Sequence, residues 1–187
     1  MVSQAYLELI VGPMFSGKTS YLINIFNLYN HKEKILAINN ILDTRYSNNN
    51  IVSHDGKNIP CINVENLESL FSNKDCIIDN YDIILINEAQ FFKDLYSFVL
   101  KLLEKNKKIY ISGLDGDFRQ NKFGYIIDLI PLCDSIIKLK ANCMHCKKNN
   151  SAIFSHRIVN NNNEQTLIGA NESYIATCRD CYNILTK

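Results

Sequence analysis

The eight residues GPMFSGKT, at 12–19, constrain this chain more than any other stretch. They match G-x-x-x-x-G-K-[ST], a loop that works only between a strand and a helix. Both flanks are present. YLELIVG (6–12) is an apolar run entering the first glycine, and residues 18–31 place Leu22, Ile25, Phe26 and Tyr29 on one helical face. In such a loop the backbone N–H groups turn inward around a phosphate chain, and the helix adds its unpaired N–H groups and positive dipole end. Gly12 and Gly17 permit the close approach, Lys18 neutralises the β- and γ-phosphates, and the Thr19 hydroxyl coordinates Mg²⁺. The loop leaves the reaction open, because ATPases, GTPases and small-molecule kinases share it.

The rest of the first 141 residues alternates strand and helix patterns. KILAIN (34–39) and CINV (61–64) are short strands, and 65–72 is a helical segment. YDIILIN (81–87) is a near-continuous apolar run, as in a strand buried on both faces of a parallel sheet. Residues 91–105 carry Phe92, Leu95, Phe98, Val99 and Leu102 on one helical face; KKIYISGL (107–114) and SIIKLKA (135–141) are further strands. Residues 43–60, polar and rich in Asn and Ser, predict a long mobile loop, and the Asn runs at 48–50 and 160–163 predict surface loops. The fold class expected is α/β: a P-loop NTPase-like parallel sheet with helices on both faces, plus a small C-terminal zinc-binding β domain. The boundary is placed between a domain at 1–141 and one at 142–187. Ligands of such a sheet sit beyond the carboxyl ends of its strands.

One of those strand ends is IILINEAQFF (83–92). A strand beside the phosphate loop delivers acidic groups near the terminal phosphate, and Glu88 is the carboxylate at this edge. In an ATPase it would orient water; in a kinase for a small alcohol it would accept the proton of the attacking hydroxyl. The bland alternative is an exposed helix cap. Asn87 stands where an aspartate would handle the metal, and brings no charge.

C-M-H-C (143–146) and C-R-D-C (178–181) are two C-x-x-C units. Each forms a knuckle presenting two sulfurs, and two knuckles give a closed, structural Cys₄ zinc site of Cys143, Cys146, Cys178 and Cys181. The segment between them is long enough for a hairpin and a loop. His145 is a bystander, and Cys61, Cys76 and Cys133 are expected to be small core residues. The formal net charge of +1 gives no basic field for nucleic acid or an anionic membrane. Lys147, Lys148 and Arg179 near the knuckles lack interleaved aromatics. No apolar run approaches membrane-spanning length, the N-terminus lacks a signal-peptide pattern, and a cytoplasmic location is the default expectation.

In combination these motifs resemble the small, zinc-containing thymidine kinases of animals, bacteria and large DNA viruses, from about residue 5 to 182. The resemblance rests on GPMFSGKT with its Pro-Met-Phe insert, DTRYS (43–47) followed by SHDG (53–56), NEAQFF (87–92), LDGDFRQNKFG (114–124), IPLCDSIIKLKANCMHC (130–146) and YIATCRDCY (174–182). It implies transfer of the γ-phosphate of ATP to the 5′-hydroxyl of thymidine, with Mg²⁺ and structural Zn²⁺. It makes Glu88 the general base. Gly12, Pro13, Met14, Phe15, Ser16, Gly17, Lys18 and Thr19 then bind the phosphates, with Asp43, Arg45, Asn87 and Gln90 nearby. Phe118 packs at the thymine, Gln165, Thr166, Leu167, Ile168 and Gly169 grip the base, and Tyr174 closes over the nucleoside. Met14, Phe91 and Leu114 line the site. The resemblance further implies a homotetramer, feedback inhibition by thymidine triphosphate, and a place in DNA-precursor salvage. The chain departs from the family at Asn87, at NKFG (121–124), which lacks a common proline, and at Gln165, where an apolar residue is frequent. The rivals are a zinc-ribbon P-loop ATPase acting on nucleic acid and an inactive nucleotide-binding homologue.

Overall fold

A computed structural model gives the fold; it describes residues 4–43, 49–71, 76–159, 165 and 173–187. Six strands form one parallel sheet: β1 (Tyr6–Val11), β2 (Ile35–Asn40), β5 (Ile62–Val64), β6 (Ile83–Ile86), β7 (Lys108–Gly113) and β8 (Ser135–Lys138). Their order across the sheet is β5-β2-β6-β7-β1-β8. All pairings are parallel, so every carboxyl end lies at one edge.

Alternation along the strands divides the core into two layers. Leu7, Leu9, Leu36, Ile38, Ile84, Ile86, Ile109 and Ile111 share a cluster with Leu95, Phe98, Val99 and Leu102 of helix α2 (Leu95–Glu104). Ile10, Ala37, Ile83, Leu85 and Tyr110 face Leu22, Ile23 and Ile25 of helix α1 (Lys18–Tyr29). Helices on both faces of a parallel sheet are what the alternating sequence predicted. The five apolar residues expected on one face at 91–105 are all fully buried, although the α-helix starts only at Leu95, after a 3₁₀ turn at Ala89–Phe91.

The segment expected to be a mobile loop is partly built. β3 (Asn50–Val52) and β4 (Asn58–Pro60) form an antiparallel hairpin with Ile51 opposite Ile59. Both isoleucines are buried against α1, so this helix is covered on two sides; Ile23 is buried, while Phe26 and Tyr29 stay half-exposed. Asn50 is therefore a strand residue, whereas Asn48 and the Asn run at 160–163 lie outside the described residues. The helical segment expected at 65–72 is a 3₁₀ turn at Leu67–Phe71, and further such turns, unforeseen, cover Ile77–Asn80 and Ile126–Leu132.

Beyond β8, β9 (Phe154–Arg157) and β10 (Tyr174–Thr177) pair antiparallel, followed by the short helix α3 (Arg179–Leu185). The hairpin expected between the C-x-x-C units is this one. Its core is small: Ala141, Cys143, Ala152, Ala176 and Cys181, with Met144, Cys178 and Phe15 packed against them.

Candidate active site

The loop after β1 has the shape its sequence requires. Gly12 has φ 149°, and a Cβ there would collide with the carbonyl oxygen of Leu139. Lys18 opens α1, is buried, and donates its Nζ to the Pro13 carbonyl at 2.7 Å; Ser16 Oγ donates to the same oxygen at 2.8 Å. Thr19 is half-buried in the first turn of α1. Met14 and Phe15 do something else. The Met14 N–H donates to Ser155 Oγ of β9 at 2.9 Å, and the Phe15 ring packs on the cysteine-containing core. The Pro-Met-Phe insert thus ties the phosphate loop to the C-terminal hairpin.

At the end of β6, Glu88 adopts a left-handed backbone, φ 49° and ψ 43°. Such a conformation is uncommon for a residue with a long side chain. Gln90 fixes the result: its Nε2 donates to Glu88 Oε2 at 2.7 Å, while its Oε1 accepts the Leu114 N–H at 3.0 Å. A Cβ on Gly113 would meet that same Oε1, so the small residue at the end of β7 makes room for the clamp. Glu88 stands at the N-cap position of the following 3₁₀ turn but is half-buried and makes no side-chain capping bond; its carboxylate bonds Gln90 instead.

Asn87 is 3% exposed and fully engaged: Ser112 Oγ donates to its Oδ1, and its Nδ2 donates to Asn39 Oδ1. Asn39, at the end of β2, donates in turn to Asp43. The two strand ends and Asp43 are thereby joined, which the sequence did not reveal.

On the other side, Phe118 and Tyr174 meet through Arg157, a residue without a motif to mark it. The Arg157 guanidinium lies 3.8 Å from the Phe118 ring centroid, and its Nε and Nη2 donate to the Tyr174 hydroxyl at 3.1 and 2.7 Å. The Phe118 carbonyl accepts from the Tyr182 hydroxyl at 2.7 Å. Gln165 donates to Asp117 Oδ2 at 2.9 Å and to the Lys122 carbonyl at 3.1 Å, and its own carbonyl accepts from Arg157. The polar residue noted at 165 therefore has a buried carboxylate as partner. Phe91 stands edge-on to Phe123 at 5.7 Å, and Leu114 follows β7 with its N–H on Gln90. Arg45, Thr166, Leu167, Ile168 and Gly169 lie outside the described residues.

The four cysteines converge, with all ligand sulfurs within 4.8 Å of one another. Cys146 Sγ and Cys178 Sγ are 3.9 Å apart, against the ~3.8 Å edge of a tetrahedron of sulfurs around zinc. Burial pushes the Cys143 thiol up, but backbone N–H groups of Cys178, Cys146 and His145 outweigh it and bring it down to about 6. Burial and its neighbouring thiols push Cys181 up to about 12. Four sulfurs this close together form a site suited to a cation. His145 is not in the set, and Cys61, Cys76 and Cys133 are half-buried in the main core, as expected. Among the described residues no helix is long and apolar enough to cross a membrane.

A phosphate loop, a carboxylate fixed at the end of β6 on the same sheet edge, and a Cys₄ zinc-binding module bonded to the loop define a P-loop phosphotransferase; β7 lies between β6 and β1, so the carboxylate strand is not the immediate neighbour of the loop strand that the sequence suggested. The thymidine kinase family model matches residues 5–182. Thymidine kinase of Amsacta moorei entomopoxvirus is 40% identical over 95% of this chain and 97% of its own. That of Mycoplasma mobile is 38% identical over 96% and 88%, and thymidine kinase 1 of Dictyostelium discoideum 40% over 95% and 77%. Among solved structures, domain III of the Thermotoga maritima replication initiation protein DnaA shows a slight likeness, TM-score 0.44 at 14% identity over 74% of this chain and 56% of that one. The chain belongs to the thymidine kinase family, and is a kinase.

Proposed function

We propose that this chain transfers the γ-phosphate of ATP to the 5′-hydroxyl of thymidine, giving thymidine monophosphate for DNA-precursor salvage. The observation that carries the reading is Glu88, in a left-handed backbone and held by Gln90 at the end of β6, on the same sheet edge as the phosphate loop. Glu88 accepts the proton of the 5′-hydroxyl as its oxygen attacks in line. Lys18 and the loop N–H groups take up charge that develops on the phosphate oxygens. Gln90 keeps the carboxylate aimed and loses nothing in doing so, since its other end is bound to β7.

Two metals fit the residues present. Thr19 supplies the hydroxyl that would hold Mg²⁺, which neutralises phosphate charge when bound. Cys143, Cys146, Cys178 and Cys181 would hold structural Zn²⁺. Residues 142–187 then act as a module that carries the nucleoside-gripping segment, with Phe118, Tyr174 and residues 165–169 at the thymine and Met14, Phe91 and Leu114 as lining. Asp43, Arg45, Asn87 and Gln90 complete the ATP side. A homotetramer, a cytoplasmic location and inhibition by thymidine triphosphate belong to this reading through the family.

The test is a direct contest. Purified protein is incubated with labelled ATP and either thymidine or single-stranded DNA. Thymidine monophosphate is the expected product; DNA-stimulated ATP hydrolysis without it would assign the chain to nucleic-acid work instead.

A further inference from the structure

Four polar side chains form one line along the carboxyl edge of the sheet. Ser112 Oγ donates to Asn87 Oδ1 at 2.9 Å, Asn87 Nδ2 to Asn39 Oδ1 at 3.1 Å, and Asn39 Nδ2 to Asp43 Oδ2 at 3.3 Å. Ser112, Asn39 and Asn87 are 1%, 2% and 3% exposed, so water does not compete for these bonds.

The line has a direction, and Asp43 sets it. An ionised carboxylate only accepts. Asn39 must therefore turn its amide N–H toward Asp43, which leaves its carbonyl oxygen facing β6. Whatever stands at position 87 has to donate to that oxygen. An asparagine does; an ionised aspartate cannot. Turning Asn39 over does not help, because its oxygen would then face Asp43. With its N–H committed to Asn39, the Asn87 amide is held with Oδ1 toward β7.

We propose that Asn39 is a positioning residue that couples position 87 to Asp43, and that an amide at 87 is the matched choice for this relay. The acidic group of this line stands at Asp43 and not at position 87. The uncharged side chain at position 87 is on this account a feature of a working site, not the mark of a disabled one. The structural half of the proposal stands on the hydrogen bonds alone; its kinetic half rests on the kinase reading.

The test is a melting cycle on the full chain with Asn87→Asp, Asp43→Asn and the double variant. Asn87→Asp is expected to lower the melting temperature by about 3 °C or more, the effect of one buried polar mismatch in a chain of this size. Asp43→Asn costs little, because the new amide oxygen still accepts from Asn39. The double variant recovers most of the loss: Asn39 turns over, accepts from the new amide at position 43 and donates to the carboxylate at 87. In an Asn39→Ala background that recovery disappears. Asn87→Asp melting at or above the parent overturns the relay. So does recovery that persists without Asn39, which would reduce the effect to repulsion between two carboxylates, and so does a double variant that stays as unstable as, or unfolded like, Asn87→Asp alone. Kinetically, Asn87→Asp is expected to raise KM for ATP several-fold and leave KM for thymidine unchanged; equal changes in both overturn the positioning role. A parent protein that phosphorylates no thymidine removes the kinase reading while the melting cycle still decides the relay.

Discussion

Glu88 holds a backbone conformation that costs an ordinary side chain on the order of 1–2 kcal/mol. A strained residue persists where its surroundings over-determine it, and here Gln90 and the β7 end do so. Glu88→Gln keeps the size and can still accept from Gln90, but is no base. It should lower kcat by roughly 10²- to 10⁴-fold. Thymidine affinity, measured by calorimetry, should stay as it is; an unchanged kcat would remove Glu88 from the chemistry. Gln165 makes a different prediction. Its side chain bonds Asp117, and its carbonyl accepts from the arginine that stacks on Phe118. Gln165→Ala should raise KM for thymidine a few-fold through the first of these contacts and leave KM for ATP alone, as a two-substrate kinetic analysis would show.

The β3–β4 hairpin is the element the sequence hid. Each strand contributes one buried residue, Ile51 and Ile59, in a polar setting, so no alternation longer than a single apolar position marks it. Ile51→Ala should cost about 2–5 kcal/mol in a denaturant titration, since the residue is fully buried against α1; a cost below that would make the hairpin a loose flap. By contrast β6 and α2 were legible, because their apolar residues fill complete periods and little in the tertiary structure alters them. The site divides in the same way. The phosphate loop, Glu88 and the cysteine pairs announce themselves by local spacing. Asn39 does not: its meaning depends on a partner 48 positions away, and two asparagines at a strand end look like the start of a loop. Arg157 and Ser155 are equally silent, since a short strand carrying Ser and Arg has no distinctive spacing. What escaped the sequence was mostly long-range polar pairing, which leaves no periodic trace.

Across the molecule, the phosphate loop and the Cys₄ module are mechanically one body. Phe15 packs against the module's core and Met14 is bonded to Ser155. Removing metal with a chelator should therefore lower the melting temperature and weaken ATP binding as well as thymidine binding. Phe15→Ala should reproduce the ATP effect with the metal still bound and cost about 1–2 kcal/mol of stability, less than a fully buried ring. ATP affinity untouched by both treatments would separate the two parts.

The Met14–Ser155 bond also sets an order of events during synthesis. Its partners are 141 positions apart, so the phosphate loop leaves the ribosome long before the hydroxyl that secures it exists. The phosphate loop is made early, yet its Met14 N–H finds its partner only when β9 arrives with Ser155. A chain released at residue 141 would carry the whole nucleotide motif with its internal Lys18 and Ser16 bonds, and would lack the hydrogen bond that anchors it to the C-terminal hairpin.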